Sequence, residues 1–184
     1  GGSGVEPTMA VVFGFQENLL IEQGLPDEYD NEYTFYADGK YVVDNVNGYS
    51  LANYYYGLTG TSGVEYNTTE EAAETNLCSM EYTAPESATW TLHEDDLVMT
   101  AAPFGGEDVP AVTYEATLTG YKWIELSTDA YFGILDYPTT RKFIIKSITP
   151  ESMSVAIFMT GYWADMSGED SPTLMYHQTF IPKE

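Results

Sequence analysis

The sequence predicts an all-β domain, an antiparallel β-sandwich of jelly-roll type, with a lipocalin-like β-barrel as the alternative. Three observations carry this. Apolar and aromatic residues alternate at period two in several short runs, turn residues punctuate those runs at regular intervals, and no long amphipathic helix appears. Short strands of this kind must pack or close to hide their edges. The 184 residues fit one domain: a tether at residues 1–8 that opens on GGSG, then a β domain over 9–184. Residues 48–80 read as an inserted long loop or short helix.

Taken in chain order, Phe15 to Gln23 is a short helix or an edge strand that stops at Gly24. The first hairpin is YDNEYTFYADGKYVV, residues 29–43. If Ala37-Asp38-Gly39 forms a three-residue loop with Gly39 left-handed, then Tyr33, Phe35, Tyr41 and Val43 share one face. Gly48 to Gly63 is glycine-punctuated and carries Tyr54-Tyr55-Tyr56, which reads as a surface loop. Thr68 precedes Glu71 at the spacing of a capping box and predicts a short helix.

TWTLHEDDLVMT, residues 89–100, predicts a second hairpin that turns at His93 to Asp96, with Trp90 and Leu92 across from Met99 and Leu97. Val112 to Leu118 and Lys122 to Leu126 follow as strands. RKFIIKSITPESMSVAIFM, residues 141–159, predicts a third hairpin with its turn at Thr149 to Ser152. Leu174 to Ile181 is the last strand, and Pro182 ends it. Trp90, Leu92, Leu97, Phe143, Ile145, Val155 and Ile157 are the expected core.

Composition narrows function more by exclusion than by choice. With 29 acidic against 6 basic residues the formal charge is −23, which repels phosphate backbones and anionic lipid. Nucleic acid and peripheral membrane surfaces are therefore excluded as partners. A lone cysteine, Cys78, rules out an intramolecular disulfide. The sequence lacks Gly-x-Ser-x-Gly, His-Glu-x-x-His, a phosphate-binding glycine loop and Cys-x-x-Cys, so no catalytic site is assigned. His177 reads as a half-buried strand residue and His93 as a solvated turn residue. Asp27, Asp30 and Glu32, just before the first hairpin, are candidate calcium ligands, because calcium accepts oxygen donors from irregular loops. Asp165, Glu169 and Asp170 form a later acidic loop.

The aromatics are the stronger lead, with 16 Tyr, 8 Phe and 3 Trp. Three adjacent tyrosines cannot all enter one core, so at least one of Tyr54, Tyr55 and Tyr56 should be exposed. An extended backbone would place Tyr54 and Tyr56 on one side and Tyr55 on the other. Exposed rings pack against sugar C–H faces while neighbouring polar groups bind the hydroxyls. The candidate ligand set is Tyr54, Tyr55, Tyr56, Trp123, Trp163 and Asp165.

A resemblance sharpens this expectation. YDNEYTFYADGKYVVD, residues 29–44, resembles the first hairpin of outer-surface glycan-binding lipoproteins from bacterial polysaccharide-uptake systems, which often follow a PKD-type domain. ATWTLHEDDLVMT, AYFGILDYPTTRKFIIKSITPESMSV and LMYHQTFIPK are similar to later segments of the same family in the same order, with Met175 where a tryptophan is expected. The Phe-x-x-Asp-Gly-x-Tyr pattern is also similar to small bacterial lipocalin-like domains. About half the chain takes part, and residues 48–80 lie outside the resemblance. The resemblance implies a non-catalytic module that holds polysaccharide at the cell surface. It also implies a lipid anchor on a cysteine upstream of Gly1 and outer-membrane uptake proteins as partners. The alternatives are a carrier of small apolar ligands and an adhesion domain.

Overall fold

The computed structural model describes residues 18–58, 63–101, 114–127, 129–136, 141–159 and 174–183. Its regular structure is mostly strand, in several antiparallel sheets, and among the described residues no sheet closes into a barrel. The chain divides into two compact units. The N-terminal unit is Phe13–Trp90 with Leu126–Asp136, and the C-terminal unit is Gly1–Val12, Thr91–Glu125 and Tyr137–Glu184.

In the N-terminal unit, helix α1 (Leu19–Glu22) leads to Gly24, whose φ of 73° turns the chain into a 3-10 turn at Pro26–Asp30. Strands β1 (Glu32–Phe35) and β2 (Tyr41–Asp44) pair as expected, Tyr33 opposite Val43 and Phe35 opposite Tyr41. Gly39 adopts φ 89°, and Asp38 Oδ1 accepts from the Lys40 amide at 3.0 Å, which closes the loop. Tyr33, Phe35, Tyr41, Tyr131 and Phe132 then form one aromatic cluster, with edge contacts from Tyr33 to Tyr131 and Phe132 and from Phe35 to Trp90. Its buried hydroxyls are satisfied. Tyr41 Oη donates to the Tyr131 carbonyl at 2.7 Å, and Tyr131 Oη donates to Ser50 Oγ. Tyr41 and Tyr131 are thus core material with their polar tips paired.

Residues 48–80 correct the surface loop expected from Gly48 to Gly63 and contain the short helix expected after Thr68. They hold strand β3 (Tyr49–Asn53), helix α2 (Tyr54–Leu58), strand β4 (Tyr66–Asn67), helix α3 (Glu70–Glu74) and most of strand β5 (Leu77–Glu81). The sheet order is β3–β5–β4. Ser50, Leu51, Ala52 and Asn53 are all buried, so β3 shows no alternation for sequence reading to detect. The cap of α3 is Thr69 rather than Thr68, its Oγ1 accepting from the Ala72 amide at 3.0 Å.

The C-terminal unit carries a five-stranded sheet in the order β12–β11–β10–β9–β6, from β6 (Trp90–His93), β9 (Lys122–Leu126), β10 (Lys142–Ile148), β11 (Met153–Met159) and β12 (Leu174–Phe180). Strand β7 (Leu97–Ala101) pairs with β8 (Tyr114–Leu118) in a separate ribbon. This corrects the second predicted hairpin, since β6 joins β9 and not β7. The 93–96 turn is tied to β9 by the Trp123 indole N–H donating to the Asp95 carbonyl at 3.0 Å and by a Lys122–Glu94 ion pair. Leu97 packs with Trp123, Ile144, Ala156 and Phe158, with Met99, Leu118 and Met175 at the margin.

Of the expected core, Leu97, Phe143, Val155 and Ile157 are fully buried. Trp90 is half-buried, its ring against Phe35 and its N–H on the Tyr36 carbonyl. Leu92 is 42% exposed. Ile145 is half-buried because the β10–β11 register shifts between Ile145 and Ser147, a bulge that releases the strand end and leaves Ile148 exposed.

Candidate functional site

The tyrosine triplet is mounted on a polar scaffold. Asn53, at the end of β3, is wholly buried, and its Nδ2 donates to Asp136 Oδ1 at 2.8 Å. Its Oδ1 accepts from the Tyr55 amide at 3.0 Å, an Asn side chain bonding two residues ahead to start a turn. Asn76, left-handed at φ 61°, adds a second acceptor to the same amide at 3.2 Å. Its carbonyl takes the Tyr54 amide at 3.0 Å. Leu135 is held across β3 by backbone bonds to Leu51 and Asn53, which places Asp136 beside Asn53.

The segment is therefore a helical turn and not an extended strand. Tyr54 and Tyr56 pack with Tyr66 against Ala52, Cys78 and Met80, and the Tyr55 ring lies beside that of Tyr54. Tyr54 lies 5.7 Å from Tyr55 and 5.8 Å from Tyr66 between ring centroids. Gly57 makes the approach possible, because a Cβ there would meet Met80 Cε at 3.0 Å and the Tyr66 ring at 3.1 Å. All three tyrosines of the triplet are half-buried, and Leu58, the last residue of α2, is 50% exposed. The arrangement offers aromatic surface on a fixed backbone.

Trp123 does not present an open ring. It is 7% exposed, and the His93 imidazole stacks on it at 3.8 Å with planes 8° apart. Lys142 Nζ lies 5.8 Å from the indole centroid. His93 is flanked by Asp95 at 3.7 Å and Glu125 at 3.5 Å, and Glu125 also meets Lys142 at 3.7 Å. His93 is thus docked on β9 and not simply a solvated turn residue. Its partner lies thirty positions away, and no local signal announces it. His177 is exposed, correcting its half-buried reading, with its Nδ1 3.2 Å from Lys146 Nζ. Trp163 and Asp165 lie outside the described residues, as do Glu169 and Asp170.

The acidic lead-in is arranged around a residue that was not singled out. Asp27 and Asp30 are exposed on the Pro26–Asp30 turn and Glu32 is half-buried in β1. Among the described residues, no three acidic, histidine or cysteine side chains converge as a metal site. Glu28 instead turns inward, accepting from Ser79 Oγ and from Asn31 Nδ2 at 2.7 Å. Burial pushes its carboxyl above the ordinary value, with Asp27 adding to the shift, while hydrogen bonds from Ser79, Asn31 and the Leu51 backbone oppose it. Cys78 is buried, and its thiol is pushed up to about 12, first by burial and then by the charge of Glu28, which leaves it unreactive.

A raised folded-state carboxyl value means that Glu28 favours the folded state most when it is protonated. That contribution is present below the unfolded value and is lost as pH rises through the folded one. Urea titrations of wild type and Glu28→Gln across the carboxylate range should show the stability of wild type, relative to the variant, falling as pH rises. A difference that stays flat with pH would assign no such role to Glu28.

Comparison with known proteins adds no relative: no family model, curated protein or solved structure matches the chain. Among the described residues, no helix is long and apolar enough to cross a membrane.

Proposed function

We propose that the protein is a non-catalytic carbohydrate-binding module displayed outside the cell, with the α2 tyrosines as its ligand surface. The observation that carries this reading is the mounting of Tyr55. Its backbone amide is fixed by Asn53 and Asn76, and its half-buried ring lies beside that of Tyr54, so the triplet holds aromatic surface on an ordered turn. A preordered aromatic side chain costs little entropy on binding and suits the flat face of a sugar. The jelly-roll sandwich belongs to the same proposal. Its support is the packing of Leu97, Met99 and Leu118 from the β7–β8 ribbon with Trp123, Ile144, Ala156 and Phe158 of the five-stranded sheet. The outer-surface location, the lipid anchor upstream and the uptake-system partners rest on the sequence resemblance.

The test is affinity electrophoresis through gels containing neutral plant and host polysaccharides, with melting temperatures measured in parallel. Tyr55→Ala should weaken retention about two- to tenfold, the range of one stacked ring at roughly 0.5–1.5 kcal/mol, with the melting temperature nearly unchanged. Tyr54→Ala and Tyr56→Ala should lower stability, since both rings pack on the core. If Tyr55→Ala lowers stability and leaves retention intact, the triplet is a packing element and the ligand surface lies elsewhere.

A further inference from the structure

We propose that His93 is an acid-set latch: protonated, it clamps the 93–96 turn and the β7–β8 ribbon onto strand β9, and neutral, it releases them. Its position suits the task. His93 is the last residue of β6, and Glu94, Asp95 and Asp96 lead from it straight into β7. The imidazole lies flat on Trp123 at 3.8 Å, and the Trp123 indole N–H reaches back to the Asp95 carbonyl. Trp123 in turn packs with Leu97 of the ribbon and with Ile144, Ala156 and Phe158 of the five-stranded sheet. One indole thus joins turn, ribbon and sheet, and His93 covers it.

The polar surroundings tell the two charge states of the ring apart. Nδ1 faces Asp95 at 3.7 Å and Nε2 faces Glu125 at 3.5 Å, and Nε2 is buried without a hydrogen-bond partner. A neutral ring leaves that nitrogen unsatisfied. An imidazolium has two N–H groups, one for each carboxylate, and can draw both inward. Charge balance agrees. The charged groups around the ring are Glu94, Asp95 and Asp96 on the turn, Lys122 and Glu125 on β9 and Lys142 on β10, four acids against two lysines. Lys122 pairs with Glu94 and Lys142 with Glu125, so a proton on His93 supplies the cation that faces Asp95. The charged ring also gains a cation–π attraction to Trp123, which Lys142 makes from 5.8 Å. The latch therefore holds while the ring is charged and is lost as pH rises through the imidazole range.

The test compares melting temperatures of the full chain and of His93→Phe between about pH 5 and about pH 8. Phenylalanine keeps a flat ring on Trp123 but takes no proton, and His177 is common to both chains. Wild type should exceed the variant most at the acid end, and about 2–4 °C of that margin should disappear by the alkaline end. Glu125→Gln keeps the imidazole but removes one of its two carboxylates, so it should flatten the wild-type profile, and it decides the matter if His93→Phe does not fold. Amide hydrogen exchange, corrected for its intrinsic pH dependence, locates the effect. Residues 94–99 should lose protection several-fold across the same range in wild type and not in His93→Phe. Margins over both variants that stay constant with pH would overturn the latch. A pH-dependent margin with unchanged protection over 94–99 would overturn it too, because the proton would then act somewhere other than the turn and ribbon.

Discussion

Replacing Phe143 by alanine should destabilise the protein by about 3–5 kcal/mol, the cost of emptying a well-packed aromatic site. Phe143 is 0% exposed and lies in the middle strand of the five-stranded sheet, in register with Ile124 on one side and Ile157 on the other. Those neighbours belong to paired strands and cannot collapse into the void without breaking the ladder, so little relaxation is available. For a chain of this size the melting temperature should fall by roughly 10 °C. Leu92→Ala is the matched control. Its side chain is 42% exposed on β6, and its removal should change stability by no more than about 0.5 kcal/mol. Equal losses at the two positions in thermal and urea unfolding would contradict this assignment of the core.

Both residues looked alike in the sequence, and the reason they differ shows where sequence reading stops. The β1–β2 and β10–β11 hairpins were legible because turn chemistry and period-two alternation agree: Gly39 supplies the left-handed residue, and Thr149 Oγ1 accepts from the Ser152 amide at 3.1 Å in the later turn. Alternation also located β6 and β7. It could not say that β6 would pair with β9, because that choice rests on contacts of the 93–96 turn with residues about thirty positions on. Strand β3 was missed for the opposite reason. Burial of four successive residues removes the alternation, and two of them, Ser50 and Asn53, are polar groups that only tertiary partners make tolerable.

The candidate site was legible to the same degree. The split of Tyr54 and Tyr56 from Tyr55 was expected only of an extended backbone; the segment is a helical turn, in which Tyr54 and Tyr56 pack against Ala52, Cys78 and Met80 with Tyr55 beside Tyr54. Trp123 read as an exposed ring because it stands near a strand end, but the same strand faces Leu97 and is covered by His93. Glu28 was hidden among four acidic or amide neighbours in the lead-in, and nothing short of its contact with Ser79 sets it apart.

Asn53→Ala should cost about 3 kcal/mol, and it probes the site as well as the fold. The alanine would remove the donor to Asp136, which is 5% exposed, and the acceptor that fixes the Tyr55 amide. A buried carboxylate that loses one of its donors is costlier than a neutral group in the same position, which is why the loss should exceed that of an ordinary hydrogen bond. Pairing Asn53→Ala with Asp136→Ala in a double-mutant cycle separates the parts. If the two residues act as one unit, the double variant should be little worse than Asn53→Ala alone, and additive losses would show independent roles. Asn53→Asp is a sharper version, because it sets a second carboxyl within hydrogen-bond reach of Asp136. Two such groups cannot both ionise cheaply, so one must hold a proton well above its ordinary range. The variant should then approach wild-type stability in acid and lose it as pH rises, the sign expected of a raised carboxyl value. In the glycan gels, Asn53→Ala should lose retention alongside Tyr55→Ala even under conditions where it remains fully folded, because the ring would keep its chemistry but lose its fixed mount. Retention at the wild-type level in folded Asn53→Ala would separate the polar scaffold from ligand binding and leave Asn53 a purely structural residue.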